Sequence, residues 1–305
     1  MKIVLKYMII IKIIKLFIIT TILFVCFSIN LNASSRKAYF YGYKHLNFKK
    51  NPKRIVSLAP IVTEILFALK LDQKIVGVTK FCDRPIKAKY KVKIGGFIDP
   101  QLEAILALKP DLVIAPKSIA INSILKQIAR NGVPVLVGFV ETLPEIYDFL
   151  LKIGSVTKKT HNAKILLKNS NLEIKLLKNS LLNKNNMRLN ILLILSVSEL
   201  IVAGPKTFAS KLLTYMGANC PVKSKFNMWP MWSIEKLFRN IPDVIIIMQG
   251  NLALERFKTK FNSLLRLKSF KSCRLLASNK AILMRPGIYL HEDGNIVKNL
   301  IYSDH

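Results

Sequence analysis

One helix-to-strand unit occurs twice in this chain. The stretch GGFIDPQLEAILALKPDLVIAP, residues 95–116, has a counterpart in WSIEKLFRNIPDVIIIM, residues 232–248. Aligned on Pro-Asp, Glu103 pairs with Glu235 and Pro110 with Pro242, and both 235 − 103 and 242 − 110 equal 132. In each copy an apolar pattern lies between glutamate and proline, and a β-branched run follows Pro-Asp. Short buried strands alternating with helices commit a chain to largely parallel sheets covered on both faces. With 305 residues, 51% of them hydrophobic, there is enough material for two medium cores. The fold class expected is α/β, as two lobes with mainly parallel sheets.

The alternation can be followed along the chain. Residues 54–58, 74–78, 112–115 and 133–139 are strand-like, and 61–69 and 118–130 carry helical spacing, the second stopped by Asn131-Gly132. Asp99-Pro100 predicts a helix start, with Asp as N-cap and Pro in the first helical position, and Pro110 predicts the end of that helix. Turn residues thin out after Gly154, which predicts a break there and then one long, stiff helix. Beyond Met187 the pattern resumes: strand 189–195, a segment 199–203, a helix opened by Gly204-Pro205, strand 244–248, a helix near 254–265, strand 281–284 and a final helix 295–301. The expected organisation is an export signal at 1–33, a linker at 34–52, an N-terminal lobe at 53–143, an interlobe long helix at 144–186 and a C-terminal lobe at 187–305.

The formal charge of +31 would suit a polyanion. The lysines are dispersed, however, without a basic stripe interleaved with aromatics and without a helix-turn-helix or zinc-finger pattern, so no nucleic-acid partner is expected. Lys2, Lys6, Lys12 and Lys15 precede an apolar run at 16–27, the layout of an export signal with cleavage expected after Ala33. Leu31 departs from the small-residue rule at −3, which leaves an uncleaved inner-membrane anchor as the alternative; either way the body is expected in the periplasm. The expected mature part holds Cys82, Cys220 and Cys273, an odd and sparse set that argues against a disulfide framework. His45, His161, His291 and His305 are scattered, so no metal site is expected, and a bare zinc or manganese receptor is disfavoured. No GxSxG, GxGxxG after a strand or GxxxxGK[ST] is present, so no catalytic residue and no enzyme activity is expected.

Taken in order, IVSLAPIVTEILFAL after Arg54, GVTKFCDRP from Gly77, the 95–116 unit, IGSVTKK from Ile153, WPMWSIEKL from Trp229 and PDVIII from Pro242 resemble the helical-backbone class of periplasmic binding proteins. The most similar subgroup is the cobalamin and ferric-siderophore receptors of ABC importers, and the resemblance runs over roughly 53–301. It implies two Rossmann-like lobes joined by one long backbone helix, with a ligand held in the cleft between them. It also implies that each lobe offers one glutamate to a permease subunit, and the matching positions are Glu103 and Glu235. A two-fold permease presents the same basic feature twice, so a single-chain carrier must present its carboxylate twice. A glutamate in a helix's first turns also favours the macrodipole, which is the purely structural role of the same residue.

The resemblance further implies an aromatic cleft. Phe81 and Phe97 stand at positions where the family has cleft aromatics, Trp229 matches a cleft Trp, Tyr289 lies in the loop before the last helix, and Pro60 opens the first helix. Flat rings suit a large amphipathic macrocycle such as a corrin. The expected ligand is cobalamin, with a ferric siderophore or haem as the alternative and no cofactor of the protein's own. Phe rather than Tyr at 81 removes a hydroxyl from that cleft. Arg84 and Arg285 are the cations available to an anionic siderophore, and Tyr289 or His291 would be the axial ligand for haem. The expected partners are an ABC permease dimer with its ATPase and one small molecule, and the receptor is expected to be a monomer. A membrane-anchored sensor module with the same fold is the reading from another class.

Overall fold

In the computed structural model, described over residues 37–41, 51–118, 121–182, 186–224, 228–278, 283 and 287–302, side chains along the long strands alternate between two apolar layers. The first sheet contains β1 (Tyr39–Phe40), β2 (Ile55–Ser57), β3 (Ile75–Val78), β4 (Leu112–Pro116) and β5 (Val135–Gly138), in the order β1-β5-β4-β2-β3. Every pairing is parallel except β1 with β5. Ile55, Leu112, Ile114 and Leu136 face one core with α1 (Pro60–Ala68) and α4 (Leu143–Val156). Val56, Val113, Ala115, Val135 and Val137 face the other with α2 (Leu102–Ala107) and α3 (Asn122–Arg130). Burial on both faces is why these strands read as continuous apolar runs.

The second sheet repeats the plan with β6 (Ile191–Ser196), β7 (Ile201–Val202), β8 (Val244–Ile247) and β9 (Arg274–Ala277), in the order β7-β6-β8-β9, with only β7 antiparallel. Ile191, Leu193, Val244 and Ile246 pack with α6 (Phe208–Tyr215) and α10 (Leu290–Tyr302). Leu192, Ile194, Ile245 and Ile247 pack with α7 (Ile234–Arg239), α8 (Asn251–Lys260) and α9 (Asn262–Leu265). The mixed α/β class and the two mainly parallel sheets are as the sequence predicts.

The sequence repeat is a structural repeat. Adding 132 to the bounds of α2, 102 and 107, gives 234 and 239, the bounds of α7. Its Pro-Asp has a structural use in both lobes. Asp111 accepts from the backbone N–H groups of Lys53 and Arg54 at 2.6 and 2.9 Å, and Asp243 accepts from that of Asn190 at 2.6 Å. Each aspartate therefore fixes the entry of the neighbouring parallel strand, while proline stops the preceding helical turn.

Several boundaries differ from expectation. Helix α2 starts at Leu102, because Pro100 bridges Gly95 and the Gln101 N–H bonds to the Ile94 carbonyl at 2.9 Å, which holds Asp99-Pro100 in the turn. Gly154 does not break the helix. It lies inside α4, where a Cβ would come within 2.5 Å of the Ala163 Cβ, so its role is the close approach of α5 (Thr160–Leu177). The break falls at Thr157 to Lys159. Helix α5 then carries Ala163, Leu166 and Leu167 against the first lobe's core and Ile174 and Leu177 against the second's, which makes it the backbone helix joining the lobes. β1 falls inside the expected linker, and β9 lies outside the strands that the sequence predicts. Of the expected strand 281–284, only Leu283 is described, in a helical turn. The final helix begins at Leu290 rather than at 295. The export signal expected at 1–33 lies outside the described residues, among which no helix is long and apolar enough to cross a membrane.

At Gly138 the end of β5 touches a ring directly: a Cβ there would lie 2.1 Å from Phe149, which is fully buried in α4. Gly138→Ala is therefore expected to cost about 1–3 kcal/mol through forced repacking. Urea unfolding would measure it, and an unshifted midpoint would mean that Phe149 has somewhere to go.

Candidate ligand cleft and docking surface

Ligands of parallel sheets collect outside the carboxyl ends of the strands, where helices begin with unpaired N–H groups. In the first lobe β2 runs out through Ala59 to Pro60, the half-buried first residue of α1, and β3 runs into the 79–98 connection. A buried polar cluster anchors both exits. Ser57 Oγ lies 2.8 Å from Thr63 Oγ1, Thr63 donates to Cys82 Sγ at 3.1 Å, and Thr79 Oγ1 is 3.2 Å from the same sulfur. Burial pushes the Cys82 thiol up, so it acts as a hydrogen-bonding filler and not as a nucleophile. Cys82, Cys220 and Cys273 are all free thiols.

The candidate aromatics fall as follows. Phe81 is 43% exposed, with the Lys80 ammonium 5.4 Å from its centroid. Phe97 is half-buried against the first lobe's core and Trp229 is half-buried against the second's. Since 229 − 97 is also 132, these two occupy the same position of the repeat, six residues before each glutamate. Trp232 is instead a core residue, 3% exposed and packed with Leu237 and Phe257.

Tyr289 is brought under Arg84, whose guanidinium carbon sits 4.4 Å from the ring centroid. That guanidinium donates from Nη1 to Asp293 Oδ1 and from Nη2 to Glu292 Oε2, each at 2.6 Å. Ile288 packs on the first lobe's core, and a Cβ on Gly287 would meet Glu64 Oε2 of α1 at 2.7 Å. The 287–293 segment of the second lobe is thus seated on the first. Arg84 already carries two carboxylates at contact distance and buried Glu64 as a further negative neighbour, which reduces what it offers an anionic ligand. Arg285 lies outside the described residues. His291 Nδ1 is 3.1 Å from the Glu173 carbonyl and its Nε2 is 2.9 Å from Asn295 Nδ2, so both ring nitrogens are engaged. Among the described residues no group of three or more His, Cys, Asp or Glu is placed to hold a metal ion.

The lobes also meet at a second point. Phe208, at the start of α6, packs on a core of each lobe. With Glu141, Thr142, Leu143, Lys211 and Tyr215 it lines a cavity of about 230 Å³, across which Lys211 Nζ donates to the Glu141 carbonyl at 3.0 Å. That volume is below the roughly 300–1,000 Å³ usual for organic ligands, so a macrocycle would need a more open part of the cleft. Nothing local in the sequence distinguishes Phe208 from an ordinary core aromatic.

Glu103 and Glu235 are both exposed, in the first turns of α2 and α7. Ser233 caps α7 by accepting from the Lys236 N–H at 3.2 Å, and a hydrogen bond from its side chain holds the Glu235 carboxyl below the usual range. Helix α2 has no such side-chain cap. What the two sites share is a carboxylate at the same register of equivalent short helices.

A family profile described as periplasmic binding protein matches residues 55–282. The vitamin B12-binding protein of Pectobacterium carotovorum is 27% identical over 196 residues, 64% of this chain and 71% of that protein. The ABC transporter substrate-binding lipoprotein YvrC of Bacillus subtilis is 27% identical over 264 residues, 85% of this chain and 83% of its own. Among solved structures, a possible iron-binding (periplasmic solute-binding) protein of Staphylococcus epidermidis superposes with a TM-score of 0.67 at 25% identity, over 83% of this chain and 100% of that one.

Proposed function

The chain belongs to the periplasmic binding protein family, and from that premise we propose that it captures cobalamin between its lobes and delivers it to the permease of an ABC importer. The observation that carries the ligand is the likeness to a vitamin B12-binding protein. It is supported by Phe97 and Trp229, which set one aromatic at the same repeat position of each lobe. Two such rings, with Phe81, Tyr289 and Pro60, suit a flat amphipathic macrocycle, since rigid aromatics supply contact area at little entropic cost. Export to the periplasm is part of the same reading, as are Glu103 and Glu235 as contacts to the two permease subunits. The receptor needs no cofactor and works as a monomer.

The test is parallel calorimetric titration of the chain with cyanocobalamin, haemin and a ferric siderophore. One-to-one binding of cobalamin alone supports the proposal. Binding of an iron complex alone would transfer the ligand to iron, the reading favoured by likeness to the possible iron-binding protein. Silence toward all three would overturn both ligand classes. Within the cobalamin reading, Trp229→Ala is expected to weaken binding by about 2 kcal/mol, roughly thirtyfold. An unchanged dissociation constant would place Trp229 off the ligand.

A further inference from the structure

The connection from β3 to α2 carries a surface feature that neither ligand capture nor docking through Glu103 uses. Residues 86–93, IKAKYKVK, form a single turn over Ile86–Tyr90 followed by an extended stretch. Ala88 is fully buried, while Ile86, Tyr90 and Val92 are 60, 85 and 56% exposed. Lys87 and Lys89 are exposed between them. Lys91 and Lys93 are instead tied to backbone carbonyls: Lys91 Nζ donates to that of Asp72 at 2.6 Å, and Lys93 Nζ to those of Ala88 and Cys82 at 3.0 and 3.3 Å. Two lysines therefore pin the strap to the lobe and two remain free to meet a partner.

We propose that this strap is a contact site for an anionic phospholipid surface, with Ile86, Tyr90 and Val92 seated among the headgroups and Lys87 and Lys89 paired with their phosphates. An isolated exposed apolar side chain means little, but three on one short strap, interleaved with cations, are what an interfacial segment requires. Tyrosine is the residue whose apolar ring and polar tip match the headgroup level. Charge complementarity selects the lipid, because residues 85–98 hold four lysines and no carboxylate. The strap also lies on the connection that leads into Glu103, so a chain resting on lipid through it would hold its first lobe at the membrane.

The test is amine acetylation of the full chain, read lysine by lysine by mass spectrometry, with vesicles of phosphatidylglycerol and phosphatidylcholine against phosphatidylcholine alone. Lys87 and Lys89 are expected to react about fivefold more slowly on the anionic vesicles. Lys271, exposed on the second lobe, is expected to keep its rate. In Tyr90→Ser with Val92→Ser the protection should fall to the phosphatidylcholine level, and these two positions are exposed enough for folding to survive. Equal protection on both vesicle types, equal protection by free glycerol phosphate, or protection of Lys271 as well would each overturn the proposal. The last of these would mean that a chain of charge +31 adsorbs without preference.

Discussion

Reversing both carboxylates proposed for docking, Glu103→Arg with Glu235→Arg, is expected to abolish productive docking on the permease while the ligand dissociation constant stays where it was. Both side chains are exposed on equivalent helices, so the folded lobes have little to lose. On that proposal each reversal replaces attraction to a basic pocket with like-charge repulsion, a change of about tenfold or more per site. The two act together because one rigid chain must engage both permease subunits at once. The measurement is ligand-stimulated ATP hydrolysis by the reconstituted importer, with calorimetry of the same variants alongside. If hydrolysis survives, or if ligand affinity falls with it, these glutamates serve only their helix dipoles.

The repeat made most of this fold legible. Constant spacing between two helix-to-strand units predicts two lobes on one plan, and α2 and α7 keep that spacing at both ends. What escaped lacks periodicity. β9 is an outer strand that reads RLLA, with an exposed Arg274 and one buried residue, so its four positions carry no pattern that a helix or loop would not. β1 is a two-residue antiparallel edge whose existence depends on β5. Gly154 predicts a break because glycine weakens helices, yet here it serves packing, and packing partners nine residues away across a turn are not visible as spacing.

The site divides in the same way. Glu103, Glu235, Phe97 and Trp229 share the repeat register and can be found by it. The contacts that join the lobes cannot, since Arg84 and Asp293 are 209 residues apart and neither sits in a motif. Asp293 precedes the final helix expected at 295–301. It is instead a buried residue within α10, 4% exposed at its side chain and held by a guanidinium from the other lobe.

That ion pair carries the largest stability effect expected here. Asp293 is buried, while Arg84 keeps 30% of its side chain in solvent and also holds Glu292, which is 65% exposed. Removing the cation with Arg84→Met would leave the buried carboxylate facing Glu292, with the Tyr289 ring losing its stacked partner. Breaking one side of a buried pair costs several kcal/mol, and partial exposure of Arg84 argues for the lower part of that range, about 2–3 kcal/mol. The loss should depend on pH, with a definite sign. Burial already holds the Asp293 carboxyl above its ordinary range, with Arg84 opposing the shift. Without Arg84 it rises further. A carboxyl whose pKa is raised by folding costs stability above that pKa and is relieved as the pH falls through it. The difference between Arg84→Met and the parent is therefore expected to be largest near neutrality and to shrink toward pH 5 in urea unfolding. Asp293→Leu added to Arg84→Met should recover much of the loss, because it removes the stranded charge. A deficit that is the same at both pH values and is not repaired by the second substitution would mean that Arg84 stabilises the lobes through packing over Tyr289 and not through its charge.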